Sequence, residues 1–190
     1  MKHLLRQAFL LLFFLTLLTG FLYPLFITGL SQAIFPRQAN GSLILGNSRL
    51  VGSDLIGQPF TSPRYFWGRP SATAPFPYNS TASTGSNWGP SSAEFMKIVQ
   101  QRIDLLRKTD LQNRISIPVD LVTSSGSGLD PHISPAAALY QVPRVAKARN
   151  LDEKLIRNLV LSHIQGRAFG VLGESIIHVL TLNMALDNLR

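Results

Sequence analysis

Apolar residues run almost unbroken over positions 8–30, AFLLLFFLTLLTGFLYPLFITGL, inside an interval between Arg6 and Arg37 that carries no charge. As an α-helix this stretch reaches roughly 34 Å, enough to cross a hydrocarbon core about 30 Å thick. No later segment repeats the pattern. The expected organisation is a short leading segment 1–7, one transmembrane helix over 8–30, and a domain over 31–190. Pro24 sits inside the span, where membrane helices tolerate proline. Gly20 and Gly29, with Thr16, Thr19 and Thr28, offer the small or hydroxylated positions that membrane helices use against one another, and Gly20 is the expected contact with a partner helix. Ser31-Gln32-Ala33 would also suit a signal peptidase, but the apolar stretch is far longer than the roughly 7–15 residues of a signal peptide. A retained anchor is therefore expected.

Beyond the span the pattern breaks into short elements. After an Asn40-Gly41 turn, residues 42–45 and 49–52 read as a β-hairpin around Gly46-Asn47-Ser48. Residues 53–58 connect, with Leu55 and Ile56 facing inward. Over 60–90, Pro63, Pro70, Pro75, Pro77 and Pro90 exclude a central strand or helix. Yet Tyr65, Phe66, Trp67, Phe76, Tyr78 and Trp88 give this segment more rings than a disordered linker carries. An ordered loop is expected, with those six aromatics as the partner interface.

Ser91-Ser92-Ala93-Glu94 has capping-box spacing from Ser91. Phe95, Met96, Val99, Ile103 and Leu106 then recur at helical intervals, and Asp104 and Lys108 are placed as an i,i+4 pair. Residues 115–122 read as a strand that Pro118 moves toward an edge. Ser134 caps a helix beginning at Pro135, which Pro143 kinks or splits. Asp152 caps the next, with Leu155, Ile156, Leu159, Val160 and Ile164 as its apolar stripe and Gly166 and Gly170 at its end. Residues 176–182 read as a closing strand, and Asn183 caps a last turn through Leu189. The whole is a small α+β domain behind one membrane helix, without internal repeats.

Charge narrows the partners. Lys2 and Arg6 precede the span, and the chain from Arg37 onward, with 16 basic and 10 acidic residues, keeps a formal charge of +6. The densest basic group is only Arg144, Lys147 and Arg149, too sparse for a nucleic-acid surface; attraction to anionic lipid heads or an acidic partner is the milder consequence. The absence of cysteine excludes disulfides, thiolate catalysis and cysteine-based zinc sites. The basic cap at Lys2 and Arg6 favours a cytoplasmic N-terminus and an extracytoplasmic domain, which is periplasmic in a Gram-negative cell.

Candidate chemistry is thin. Gly126-Ser127-Gly128 lacks the lysine of a phosphate loop and the third glycine of a dinucleotide fingerprint, so it reads as backbone turning. Ser127, Asp130 and His132 contain the ingredients of a triad without a strand–nucleophile–helix elbow. An anchored or secreted envelope hydrolase using Ser127 and His132 is the alternative reading. Glu174 and His178 are two potential ligands only, on an expected strand, which is a weak metal site. His163 reads as a helix-surface or capping residue. Residue chemistry alone gives a membrane-tethered binding or assembly module with no catalytic centre.

Several segments, in order, also resemble a known family: GSLI at 41–44, VGSDLIGQ at 51–58, RYFWGRPSA at 64–72, PFPYN at 75–79, TGSNWGP at 84–90, PVDLVTSSGSGLDPHISPAAALYQVPRVAKAR at 118–149 and LNMALD at 182–187. Behind one N-terminal membrane helix they are similar to the C subunit of the Kdp-type potassium-transporting P-type ATPase. Thr84, where serine or glycine is common, and Glu174-Ser175, where Glu-Pro is common, are small departures. The resemblance implies a noncatalytic subunit of an ATP-driven potassium uptake complex, with an ion-conducting and an ATP-hydrolysing subunit as partners. It implies a role in assembly and as a catalytic chaperone raising the ATP affinity of the hydrolysing subunit. The chain would have no cofactor of its own; ATP would be shared with that subunit, and potassium would be the transported ion. Gln141, in the matching YQVPRV stretch, is the implied nucleotide contact. An extracytoplasmic domain conflicts with that contact, since ATP lies across roughly 30 Å of hydrocarbon.

Overall fold

The computed structural model describes residues 2–46 and 49–189. The chain divides into two compact units, one ending at Leu43 and one starting at Ile44. The first is a helical run over Lys2–Ile34, long and apolar enough to cross a membrane. Within it α1 (Lys2–Leu17) passes through a π turn at Leu18–Leu22 into α2 (Tyr23–Ile34). The proline explains the turn. Pro24 has no N–H, and its ring meets the carbonyl one helical turn back. The wider turn, in which the Tyr23 N–H reaches Leu18 O, relieves this conflict by taking in an extra residue. The Thr19 hydroxyl donates to Leu15 O (2.7 Å) in the same turn. After the one-turn α3 (Pro36–Ala39), the Gln32 and Asn40 amides exchange two hydrogen bonds and Gly41, at φ 84°, turns the chain as expected.

β1 (Leu43–Gly46) and β2 (Arg49–Ser53) form the expected hairpin; its turn residues Asn47 and Ser48 lie outside the described residues. Leu55, expected inside, is exposed, because Ser53 accepts the Leu55 N–H on its hydroxyl and bridges to Ile56 in a tight turn. α4 (Ala93–Thr109) starts one residue later than the capping box implies. Ser92 is the cap, accepting the Phe95 N–H at 3.3 Å, which leaves Glu94 too early to reach back. Asp104 accepts from Gln100 (2.8 Å).

The strand expected over 115–122 is not formed. Pro118 has no N–H to give a ladder, and a 3-10 turn comes next at Val119–Leu121. The Asp120 carboxylate instead takes the Ser134 N–H (2.7 Å) and hydroxyl (3.2 Å), tying this segment to the next helix. β3 (His132–Ile133) pairs antiparallel with β4 (Ile177–His178), setting His132 opposite His178.

α5 (Pro135–Arg149) is capped by Ser134 as expected, but Pro143 does not split it. A proline inside an isolated helix costs about 3 kcal/mol; here Ala138, Val142 and Val145 are wholly buried, and tertiary packing outweighs the missing hydrogen bond. α6 (Glu153–Ser162) is capped by Asp152 and buries Ile156 and Val160. It ends before Gly166, at His163, whose Nδ1 donates to Leu159 O (2.8 Å). The closing strand over 176–182 is a second correction: only Ile177–His178 is extended, and α7 (Val179–Asp187) replaces the rest. Val179, Leu182 and Leu186 have helical spacing and are buried together, while His178 caps the helix by accepting the Thr181 N–H. Asn183 is therefore mid-helix rather than a cap. The domain is small and α+β, with its core between α5, α6, α7 and Phe66.

Candidate functional site

Residues 63–67 lie against α5 and α7 as if they were an added strand, but the groups that reach them from these helices are side chains. The Asn183 amide accepts the Phe66 N–H (2.9 Å) and donates to Phe66 O (2.9 Å). The Gln141 amide does the same to Trp67, at 2.8 and 3.1 Å. Each reproduces the two-bond exchange of an antiparallel residue pair. Arg144, three residues after Gln141 and so on the same helix face, donates to Pro63 O (2.6 Å), Tyr65 O (3.1 Å) and Gln141 Oε1 (2.6 Å). Its guanidinium lies 4.3 Å from the Trp67 ring centroid. Burial pushes its pKa down to about 10, against the pull of Asp110 and Tyr140, so it stays charged at neutral pH. At the outer end Arg149 donates to Arg64 O (2.8 Å), pairs with Asp187 (2.6 Å) and lies 4.9 Å over Tyr65, whose hydroxyl also reaches Asp187.

The sequence-selected residues fall into separate places. Phe66 is completely buried and Gln141 is 1% exposed, its amide committed to Trp67, Ala137 and Arg144. Tyr65 and Trp67 are half-buried on the clamp. Tyr78 folds back, donating to Arg69 O (2.6 Å), and its phenol is pushed up to about 12 by burial and then by Asp130. Phe76 and Trp88 are exposed. Between the loop and α4 runs a cleft of about 420 Å³ lined by Pro59, Phe60, Trp67, Pro77 and Leu105, suited to an apolar side chain. Gly20 belongs to the first unit, in its π turn.

The triad ingredients do not assemble. The Ser127 hydroxyl accepts the Leu129 N–H (3.1 Å), and among the described residues no hydrogen bond joins Ser127 to His132. Glu174 is exposed and paired with Arg167, while His178 is buried, so they form no ligand pair. Asp130 sits 3.3 Å from both His132 and Arg69. Burial pushes its pKa up, but the His132 hydrogen bonds and the Arg69 charge outweigh this and hold it below the usual range.

His178 makes stability pH-dependent. Its Nδ1 accepts from Thr181, so Nε2 carries the proton and faces Asp54 O (3.2 Å). Burial, then the His132 ring 5.3 Å away, lower its pKa below the unperturbed 6.5. The unfolded chain thus binds this proton more readily, and the contribution is complete above pH 6.5 and declines as pH falls below it. Asp130, also lowered, adds a second loss only below pH 3.8. Unfolding midpoints of the full chain between pH 8 and pH 5 check this: a midpoint that does not fall on acidification would contradict it.

Sequence reasoning missed Arg144 and Asn183 as the clamp. The available signal was Asn183 as the single amide among the apolar residues of VLTLNMALD, a polar group that must find a partner when its helix is buried.

The comparisons with known proteins agree with this full-length pattern. The family model described as K+-transporting ATPase, c chain, matches residues 5–188. A potassium-transporting ATPase KdpC subunit of Methylococcus capsulatus is 56% identical over 185 residues, covering 97% of both chains. That of Sorangium cellulosum is 56% identical over 186 residues, 98% of both. That of Polaromonas naphthalenivorans is 56% identical over 190 residues, 100% of this chain and 97% of the relative. Family model and end-to-end identity converge on one conclusion: the chain belongs to the KdpC family, the C subunits of the potassium-transporting ATPase.

Proposed function

We propose that the chain is a noncatalytic accessory subunit that assists assembly with the ion-conducting and ATP-hydrolysing subunits and, as a catalytic chaperone, raises the ATP affinity of the latter. The observation that carries this reading is the clamp of Gln141, Arg144 and Asn183 on residues 63–67. A loop fixed in this way offers rings to a partner without losing much freedom on binding. Phe76, Trp88 and the apolar cleft beside α4 are the surface it offers, and the conducting subunit's ion entrance is the surface it meets. Gly20 faces a neighbouring membrane helix.

The basic cap at Lys2 and Arg6 supports a domain outside the membrane. Gln141 then acts on Trp67 and not on the nucleotide, and the effect on ATP travels through subunit contacts as a coupling between sites. The test uses the missing cysteines. Ser83→Cys, at an exposed loop position, is expected to react with a membrane-impermeant maleimide in intact cells, and cells lacking the chain are expected to lose high-affinity potassium uptake. Reaction only after lysis would place the domain inside, on the side of the nucleotide, and would overturn the ion-entrance surface. Unimpaired uptake without the chain would sink the subunit reading.

A further inference from the structure

Arg69 and Arg102 both line the cleft beside α4, and their guanidiniums meet at one residue. Arg69 Nη2 donates to Ser124 O and Arg102 Nη2 to the Ser124 hydroxyl, both at 3.3 Å, while Arg102 Nη1 donates to Val122 O (2.8 Å). Their positive charge is poorly matched. Asp130 lies 3.3 Å from Arg69 but is shared with His132. Among the described residues Arg102 forms no ion pair, and the buried Nε of Arg69 has no hydrogen-bond partner. Burial lowers the Arg102 pKa, as it does for a cation short of water and without a counter-charge. The same cleft, of about 420 Å³, is walled by Pro59, Phe60, Trp67 and Leu105. Two like charges held by neutral oxygens beside an apolar hollow cost the domain free energy that an anion would recover.

We propose that this cleft is a binding site for a small amphipathic anion: one apolar chain or ring ending in a carboxylate, its body against the apolar walls and its charge on Arg69 and Arg102. Charge selects against a neutral lipid, which would leave both cations as they are, and against a second copy of a domain that is itself basic. Size selects against a membrane phospholipid. A cleft of about 420 Å³ lies near the lower end of the roughly 300–1,000 Å³ of small-molecule sites, room for one chain and not for two. A carboxylate also matches the planar fork of a guanidinium. The site goes beyond the subunit reading and gives it a small-molecule input, since the surface offered to a partner differs between a filled and an empty cleft.

The test uses the full chain in phosphatidylcholine nanodiscs, with Trp88→Phe leaving Trp67, in the cleft wall, as the only tryptophan. The probes are octanoate and its neutral isostere octanamide. Octanoate is expected to change Trp67 emission saturably at millimolar concentration or below, and octanamide to bind at least about tenfold more weakly. Arg102→Gln is expected to remove that difference. Leu105→Glu, at a position 53% exposed and three residues along α4 from Arg102, sets a rival carboxylate beside that arginine. It is expected to keep the unfolding midpoint and to weaken octanoate at least about tenfold. No saturable response, equal affinity for the two probes, or full octanoate affinity in Leu105→Glu would each overturn the site. Binding lost in phosphatidylglycerol nanodiscs would give the arginines to a lipid headgroup. Binding lost in the assembled complex would give them to a carboxylate of another subunit, and either result replaces the small anion.

Discussion

Replacing Arg144 with alanine is expected to cost the domain about 3–5 kcal/mol, a large share of the stability of any single domain. The side chain is 5% exposed and its guanidinium is the donor for two backbone carbonyls and the Gln141 amide oxygen. Truncation takes this donor from the Pro63 and Tyr65 carbonyls, leaves Gln141 Oε1 with the Trp67 N–H alone, and opens a void beneath Trp67. Unfolding of the full chain in detergent, followed by tryptophan fluorescence, reads both the loss and the change around Trp67. Arg144→Met separates the causes, since it restores most of the volume and none of the hydrogen bonds. If both variants lose less than about 1 kcal/mol, the range of one ordinary hydrogen bond, the loop is held by something other than this clamp. Arg144→Lys is expected to fall between, because one ammonium cannot reproduce the planar fork.

Gly128→Ala is expected to lose about 2–4 kcal/mol, through strained backbone and overpacking together. Gly128 has φ +69°, and a Cβ there would lie 2.6 Å from Thr73 Cγ2 and 2.7 Å from Thr84 O. The aromatic loop is laced to this turn by Ser71 Oγ donating to Gly128 O (2.7 Å) and by the Thr84 N–H donating to Ser127 O (3.0 Å), so neither neighbour retreats freely. Gly126 is the internal control. A Cβ there meets nothing within 4 Å, and Gly126→Ala is expected to change stability by no more than about 0.5 kcal/mol. Equal losses in the two variants would mean that the close seating at Gly128 is not required.

These two sites differ in how far the sequence could be read: the Gly128 turn was visible and the Arg144 contacts were not. The apolar run, the caps at Ser134 and Asp152 and the hairpin are local signals, and local chemistry decides them. The segment 176–182 failed because a short apolar run fits a strand or a buried helix equally well, and 115–122 because Pro118 and the turn after it keep it out of any ladder. What held each in its place was tertiary: Asp120 reaching Ser134, and His178 capping α7. The clamp was illegible for the same reason. Gln141 and Arg144 lie 74 and 81 residues from the backbone groups they hold, and nothing in their own neighbourhood says what they will touch. The aromatic loop could be seen as special, but not that Phe66 would be turned into the core while Phe76 and Trp88 stayed outside.

The π turn at Leu18–Leu22 changes which faces the first helical run presents along its length. An added residue turns everything on one side of it by about 100° about the axis relative to an unbroken α-helix. A stripe traced by counting threes and fours from the Lys2 end therefore leaves its face at Leu18 and resumes elsewhere after Tyr23. The two halves of this helical run are azimuthally offset, so that a single helix presents one edge near Lys2 and a different edge near Ile34.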